Sequence, residues 1–202
     1  MKNLTYPLTF KFSTFAFSPE FRITDARGQL VAFVKQKAFK LKEDIKVYAD
    51  ENQQHLRYHI KASHWLDFGA EYHFTDAQDR KLGHVAHHPG FMTTNANYET
   101  YLPTSQKVLF CEGYNFWRYL GRRIRGQELP DPALGTSPWY TSELIGRTQE
   151  PPVASLNQKS TWTSNTFELV KIGTLSEEEE VLMILSLTVA ILLRRSRQRN
   201  NG

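Results

Sequence analysis

The stretch that decides the fold is Thr174-Leu-Ser-Glu-Glu-Glu-Glu-Val-Leu-Met-Ile-Leu-Ser-Leu-Thr-Val-Ala-Ile-Leu-Leu-Arg-Arg195. Ser176 and Glu179 have the spacing of a capping box, in which each side chain accepts the backbone N–H of the other residue. Glutamates occupy the positive end of the helix dipole and arginines the negative end. Between them, Val181–Leu193 is interrupted only by one serine and one threonine. A helix that is apolar on every face needs apolar surroundings, which are either lipid or the rest of the protein.

The length of this segment favours the protein over lipid. Val181–Leu193 contains 13 residues, which span roughly 20 Å at about 1.5 Å per residue. The hydrocarbon core of a bilayer is about 30 Å thick and needs about 20 apolar residues. We therefore predict a buried helix at 176–195, followed by a basic, flexible tail at 196–202. The alternative is a tail-anchored membrane protein with residues 181–193 in the bilayer, involved in lipid movement.

Composition indicates a globular protein whose body carries no net charge. The chain has 202 residues, 40% of them hydrophobic, and a net charge of +4. Four arginines follow residue 193 without any acid, so residues 1–193 sum to zero. This distribution argues against a broad nucleic-acid surface. With one cysteine, Cys111, and no apolar stretch at the start, we expect a cytoplasmic protein, with membrane association left open.

Upstream of the helix, short alternating segments separated by turns predict about twelve β-strands. They are Leu8–Phe12, Phe21–Asp25, Leu30–Lys35, Ile45–Ala49, His55–Ile60, Glu71–Thr75, Leu82–His87, Asn97–Leu102, Gln106–Cys111, Trp139–Gly146, Pro152–Asn157 and Thr166–Ile172. A short amphipathic helix is expected over Glu112–Gly126 and a loop over 127–138. No long linker interrupts the chain, so we predict one domain over residues 1–195.

An internal repeat marks two of the turns. Phe21–Ala26 and Tyr72–Ala77 share the pattern aromatic, polar, apolar, Thr, Asp, Ala. An aspartate at the first corner of a turn can accept hydrogen bonds from the backbone ahead of it. Asp25 and Asp76 are therefore interpreted as turn residues rather than catalytic ones.

Many short strands at regular spacing predict a sandwich or a barrel. A barrel of about twelve strands encloses an interior too wide for its own side chains to fill. An apolar helix of about 20 Å would fill it. The fold predicted is therefore mainly β, with about twelve strands around a buried C-terminal hydrophobic helix.

The chain resembles the tubby C-terminal-like superfamily, which includes the LURP-one-related proteins and the phospholipid scramblases. The resemblance lies in the hairpin at 21–36, the lysine-rich segment at 37–43, the hairpin that begins at Tyr72, and the final apolar helix. It implies a closed antiparallel barrel of twelve strands around a central C-terminal helix. Scramblases carry a calcium-binding segment before that helix, whereas this chain has four consecutive glutamates, which cannot wrap one ion. Calcium dependence and scrambling are therefore not inferred.

Candidate chemistry is sparse. His84 and His88 would face one side of a strand and His87 the other, so no metal site is predicted. Cys111 lies in a segment without an activating helix start and is interpreted as inert. No nucleophile elbow or phosphate-binding loop is present in the sequence. We predict neither catalysis nor a cofactor.

Basic residues are the better candidates for function. The predicted lipid-binding residues are Lys35, Lys37, Lys40, Lys42, Arg118, Arg122, Arg123 and Arg125. The four arginines lie near Tyr114, Trp117 and Tyr119, and arginines beside aromatic residues are typical of an interfacial surface. The alternative is a solvated face whose aromatic side is in the core. The expected partner is a lipid headgroup, an anionic membrane surface or another protein, and not nucleic acid.

Overall fold

Twelve antiparallel strands form a closed barrel in the computed structural model of the protein. The structure describes residues 1, 3–12, 20–36, 45–63, 71–88, 97–113, 142–147, 151–161 and 164–200. The strands are β1 (Leu8–Phe12), β2 (Glu20–Thr24), β3 (Leu30–Gln36), β4 (Ile45–Tyr48), β5 (Leu56–Ala62), β6 (Glu71–Asp76), β7 (Lys81–His88), β8 (Asn97–Tyr101), β9 (Lys107–Gly113), β10 (Ser142–Gly146), β11 (Pro152–Thr161) and β12 (Ser164–Lys171). One helix, α1 (Glu177–Asn200), follows them.

Each strand pairs with its neighbours in sequence, and β1 pairs with β12 to close the barrel. Phe10 lies opposite Phe167 in that closing pair. Because successive strands run in opposite directions, every second turn lies at the same rim of the barrel. The entry rim carries the turns that follow β2, β4, β6, β8 and β12, and α1 begins there. The opposite, exit rim lies where β1, β3 and β5 end.

Two of the turns at the entry rim share one geometry. Asp25 Oδ1 accepts the backbone N–H groups of Arg27 and Gln29, each at 2.9 Å. Asp76 Oδ1 accepts the corresponding groups of Gln78 and Arg80 at 2.9 and 3.0 Å. The internal repeat is thus a repeated turn, and the interpretation of both aspartates as turn residues is confirmed.

The helix fills the barrel, as predicted. Every residue from Leu182 to Leu192 is buried, including the serine and the threonine that interrupt the apolar run. The largest fully buried side chains come from the strands and the helix together: Phe10, Phe21, Phe74, Leu8, Ile23, Ile60, Leu109, Ile145, Leu169, Leu182, Met183 and Ile184. The barrel therefore supplies the apolar surroundings of α1, and the alternative that places this segment in lipid is not the arrangement found. No helix in the described part of the chain has both the length and the hydropathy required to cross a bilayer.

Both polar residues inside the helix have hydrogen-bond partners. Ser186 Oγ lies 2.8 Å from Oγ1 of Thr100 on β8, and both residues are buried. Thr188 Oγ1 donates to the carbonyl of Ile184, one turn earlier, at 2.8 Å. Because buried hydroxyls are costly when unpaired, the Thr100–Ser186 contact favours one rotation and one depth of the helix in the barrel.

Side chains of the entry rim hold the start of α1. The capping box is confirmed: Ser176 N–H donates to Glu179 Oε2 at 2.8 Å, and Glu179 N–H donates to Ser176 Oγ at 3.2 Å. Arg147 adds two hydrogen bonds to the Glu179 carboxylate, each 2.9 Å long. Lys171 Nζ donates to Glu180 Oε1 at 2.6 Å. The consecutive glutamates therefore cap and anchor the helix.

Two predicted boundaries were wrong. The helix was expected to end at residue 195 and to give way to a flexible tail, but its backbone is helical to Asn200. Arginine and glutamine are good helix formers, and no glycine or proline occurs before that point. The short helix was expected to begin at Glu112, but β9 continues to Gly113 because its pairing with β10 extends that far. The rest of that predicted helix, and the loop after it, lie outside the described residues.

Candidate functional site

The predicted lipid-binding residues are only partly visible. Lys37, Lys40, Lys42, Arg118, Arg122, Arg123 and Arg125 lie outside the described residues. Lys35 lies near the end of β3, on the outer surface, directly after the buried Val34. The surroundings of Lys35 are therefore the starting point for a site.

Lysines from four strands face outward around Lys35. Lys11 lies between two buried phenylalanines on β1, Lys46 between buried Ile45 and Val47 on β4, and Lys61 follows buried Ile60 on β5. Because side chains alternate across a strand, these lysines point away from the core. We call this surface the basic wall and define it as Lys11, Lys35, Lys46 and Lys61.

The register brings like charges together on the basic wall. Lys35 on β3 lies directly opposite Lys46 on β4, which in turn lies opposite His59 on β5. Like charges directly opposite on neighbouring strands are destabilising, by roughly 0.2–1 kcal/mol. Glu20 lies opposite Lys35 on its other side and offsets part of this repulsion. The arrangement leaves an excess of positive charge along the outer face of β3–β5.

Most of these lysines lack acidic partners in the part of the chain that the structure describes. Lys35 Nζ donates to Gln53 Oε1 at 3.2 Å, which leaves its charge unneutralised. Lys11, Lys46 and Lys61 have neither a hydrogen bond nor an ion pair with any described residue. Their ammonium groups are thus available to an external anion.

The basic wall is bounded on the entry side by the 49–55 turn. The Glu51 carboxylate accepts two hydrogen bonds from Arg22 on β2, each 2.6 Å long. The Arg22 guanidinium carbon lies 6.0 Å from the ring centroid of Phe33. Phe33 faces outward but is only 3% exposed. The turn and Arg22 therefore cover the aromatic surface of β3, and Gln53 of the turn also contacts Lys35.

A row of rings continues from the basic wall onto the next strands. Lys61 lies opposite His73 on β6, His73 opposite His84 on β7, and His84 opposite Tyr101 on β8. The His73 and His84 ring centroids are 5.4 Å apart. His84 stacks on Tyr101 with centroids 4.8 Å apart and planes 7° apart. Sequence reasoning missed this row, because it grouped the histidines along one strand rather than across two neighbouring strands.

Glu99 on β8 ends this row. Tyr101 OH donates to Glu99 Oε2 at 2.6 Å, and Lys107 Nζ donates to Glu99 Oε1 at 3.0 Å. The hydrogen bond to Glu99 raises the pKa of Tyr101 to about 12. The same bond, with that of Lys107, holds the pKa of Glu99 below its ordinary value. Glu99 is therefore ionised and already neutralised by its neighbours near pH 7.

The remaining candidates from the sequence have structural surroundings. His84 and His88 face outward and His87 is buried, as the alternation predicted. Within the described residues, no group of three or more potential ligands could hold a metal ion. Cys111 is buried on β9, opposite Tyr98. These residues do not form a reactive cluster.

A cavity of about 420 Å³ opens at the entry rim, where its lining includes Leu30, Val31 and Arg57. Its polar groups are engaged in holding the chain. Arg57 donates to the Val31 carbonyl at 3.1 Å, and Asp25 accepts the turn N–H groups described above. The cavity therefore does not form the centre of a site.

Comparison with known proteins gives one finding about the whole chain. A model of the family described as LURP-one-related matches residues 30–191. No curated protein and no solved structure matches the chain. The matched range begins at β3, continues through β12 and includes nearly all of the buried part of α1.

Proposed function

Because this chain belongs to the LURP-one-related family, within the tubby-like superfamily, we propose that it is a non-catalytic barrel that binds anionic lipid surfaces through its basic wall. The family is generally non-enzymatic. The barrel interior is occupied by α1, so a ligand would have to bind on the outside. The single observation that carries the proposal is the excess of uncompensated lysines on the outer face of β3–β5.

The shape of the basic wall favours a surface over a small molecule. Neighbouring strands lie about 4.8 Å apart, so lysines on β1, β3, β4 and β5 spread over several strand spacings instead of converging on one point. Small-molecule sites are concave and enclose their ligand. A membrane that contains anionic lipids offers many negative charges over a wide area. A lysine-bearing sheet face complements such a surface in charge and in shape.

The expected contribution of each lysine is modest, and their sum is sufficient for reversible binding. One lysine near an anionic leaflet contributes about 1 kcal/mol at physiological ionic strength. The four lysines of the basic wall would then contribute about 4 kcal/mol before any help from other residues. The predicted basic residues at 37–42 and 118–125 remain part of this proposal. The first of them, Lys37, directly follows β3 in the sequence.

Vesicle sedimentation tests the proposal. The protein is mixed with vesicles of phosphatidylcholine alone or with phosphatidylglycerol added, and the bound fraction is measured at low and high salt. We expect binding only to the anionic vesicles, and we expect salt to weaken it. Lys46→Gln combined with Lys61→Gln should weaken binding about 25-fold, because each lost charge costs about fivefold.

A matched control separates the basic wall from overall charge. Lys81→Gln removes one charge from β7, outside the basic wall, and is compared with Lys46→Gln alone. This control should change binding less than about twofold if the wall is the site. Equal losses in Lys81→Gln and Lys46→Gln would show that only net charge matters. Absence of binding to anionic vesicles at both salt concentrations would refute the proposed function and leave a protein partner to be sought.

A further inference from the structure

We propose that the anion-binding face extends beyond the basic wall onto β6 and β7, where protonation of His73 and His84 strengthens binding to anionic lipid. This inference rests on the proposed function and adds a dependence on pH to it. It is carried by the cross-strand register, which continues the row from Lys61 directly into the two histidines.

The surroundings of His73 allow it to carry a charge at the surface. Its side chain is 50% exposed. It is faced by Lys61 from β5 and by His84 from β7, and Glu71 lies two residues earlier on its own strand. The Nε2 atom of His73 lies 3.6 Å from Oε2 of Glu71. The His73 imidazole therefore lies between a carboxylate on its own strand and an ammonium group on the next strand.

The surroundings of His84 make its protonation more demanding. It is faced by His73 and Glu71 from β6 and by Tyr101 and Glu99 from β8, and His88 lies farther along β7. Burial lowers the pKa of His84, with the facing His73 adding to the decrease and Glu71 opposing it. Its charge therefore appears below the ordinary imidazole value of 6.5.

The change in local charge is large for so small an area. With both imidazoles neutral, the side chains of Lys61, Glu71, His73 and His84 sum to no net charge, although Lys61 and Glu71 are not ion-paired with each other. When both imidazoles are protonated, the same four side chains carry a net charge of +2. Glu99 does not offset this gain, because Tyr101 and Lys107 already bind its two oxygens. The row then carries the same sign of charge as the basic wall beside it.

The test is vesicle sedimentation of the full chain at about pH 7.5 and about pH 5.5, on either side of the histidine range. Phosphatidylglycerol is the anionic lipid, because its phosphodiester stays ionised throughout that range. We expect the native protein to bind up to about 25-fold more tightly at the lower pH, at about fivefold for each added charge. His73→Gln combined with His84→Gln should bind as the native protein does at the higher pH and lose most of the gain at the lower pH.

His55→Gln is the matched control. His55 is a 76% exposed histidine in the 49–55 turn, and its Nδ1 lies 3.1 Å from Asp50. This variant should keep the full gain at low pH, and a circular dichroism spectrum at each pH should confirm that the variants remain folded. Keeping the gain in the His73/His84 double variant would overturn the inference.

The failure of this inference differs from the failure of the proposed function. Native binding that is salt-sensitive but equal at the two pH values would overturn the role of the histidines and leave the basic wall in place. No binding at either pH would refute the lipid-binding function itself. Binding at the lower pH that the His73/His84 double variant loses would support both.

Discussion

Removing the Ser186 hydroxyl should destabilise the protein, and removing the hydroxyl it contacts at the same time should restore much of the loss. The two oxygens of Ser186 and Thr100 lie 2.8 Å apart, and the residues are 5% and 3% exposed. Ser186→Ala leaves the Thr100 hydroxyl buried without its partner, which costs about 1–3 kcal/mol. Thr100→Val should cost less than about 1 kcal/mol, because a helical serine can donate instead to the carbonyl four residues earlier.

The double variant distinguishes a hydrogen bond from simple packing. With both hydroxyls gone, neither leaves an unpaired partner at this contact, so the combined loss should be smaller than the sum of the single losses by about 1–2 kcal/mol. Urea unfolding measures each free energy, and thermal melting should follow at about 2–4 °C per kcal/mol for a chain of this size.

A neighbouring residue provides the control for this cycle. Thr188 hydrogen-bonds only within the helix, to the carbonyl of Ile184. Thr188→Val therefore orphans no group on a strand and should change stability by less than about 1 kcal/mol. If the Ser186 and Thr100 losses simply add, the two hydroxyls do not interact, and the rotation of α1 inside the barrel has been assigned incorrectly.

Three further perturbations test the packing and the anchoring of α1. Val189→Arg places a charge at a fully buried site and should abolish cooperative unfolding, whereas Ile172→Arg, at a 44% exposed position, should leave it intact. Gly83→Ala should lower the free energy of unfolding in urea by about 2–4 kcal/mol. The added Cβ would lie 2.2 Å from the Tyr101 carbonyl oxygen, at a φ of +149°. A loss below about 1 kcal/mol would contradict this packing. Although burial alone raises the pKa of Glu179, hydrogen bonds from Ser176 and Arg147 hold it below the ordinary 4.5. The folded state thus favours the ionised Glu179 carboxylate. The stability that this carboxylate gives the fold is complete above pH 4.5 and is lost as the pH falls through its lower folded-state pKa. In Arg147→Gln, the free energy of unfolding should fall less steeply as the pH decreases below 4.5. A slope equal to that of the native protein would contradict the ion pair between Arg147 and Glu179.

The architecture was largely predictable because two independent patterns lead to it. Alternation located the twelve strands, and the helix that is apolar on every face required apolar surroundings. The repeat at Phe21 and Tyr72 also predicted its turns correctly, because an aspartate that accepts two backbone N–H groups requires only local geometry. Both patterns depend on residues close together in the chain.

The candidate site was much less predictable, because it depends on register. Lys46 and Lys61 occupy positions that alternation assigns to the solvent face of a strand. Nothing in the local sequence distinguishes them from other surface lysines. Only the pairing of β3 with β4 places Lys35 against Lys46, and only the pairing of β5, β6 and β7 places Lys61 beside His73 and His84. Register is set by long-range packing, and a single sequence reveals it poorly.

The first and last strands close the barrel around a helix that follows them in the chain. This order has a consequence for protein synthesis. Phe10 must find Phe167 across more than a hundred and fifty residues, and such non-local contacts slow folding. The residues from Leu182 to Leu192 leave the ribosome after every strand. Until they emerge, the nascent chain can form hairpins but has no core around which to close. Closure of this barrel should therefore wait until α1 has left the ribosome, with its unpaired strand edges exposed to chaperones until the last part of the core has been made.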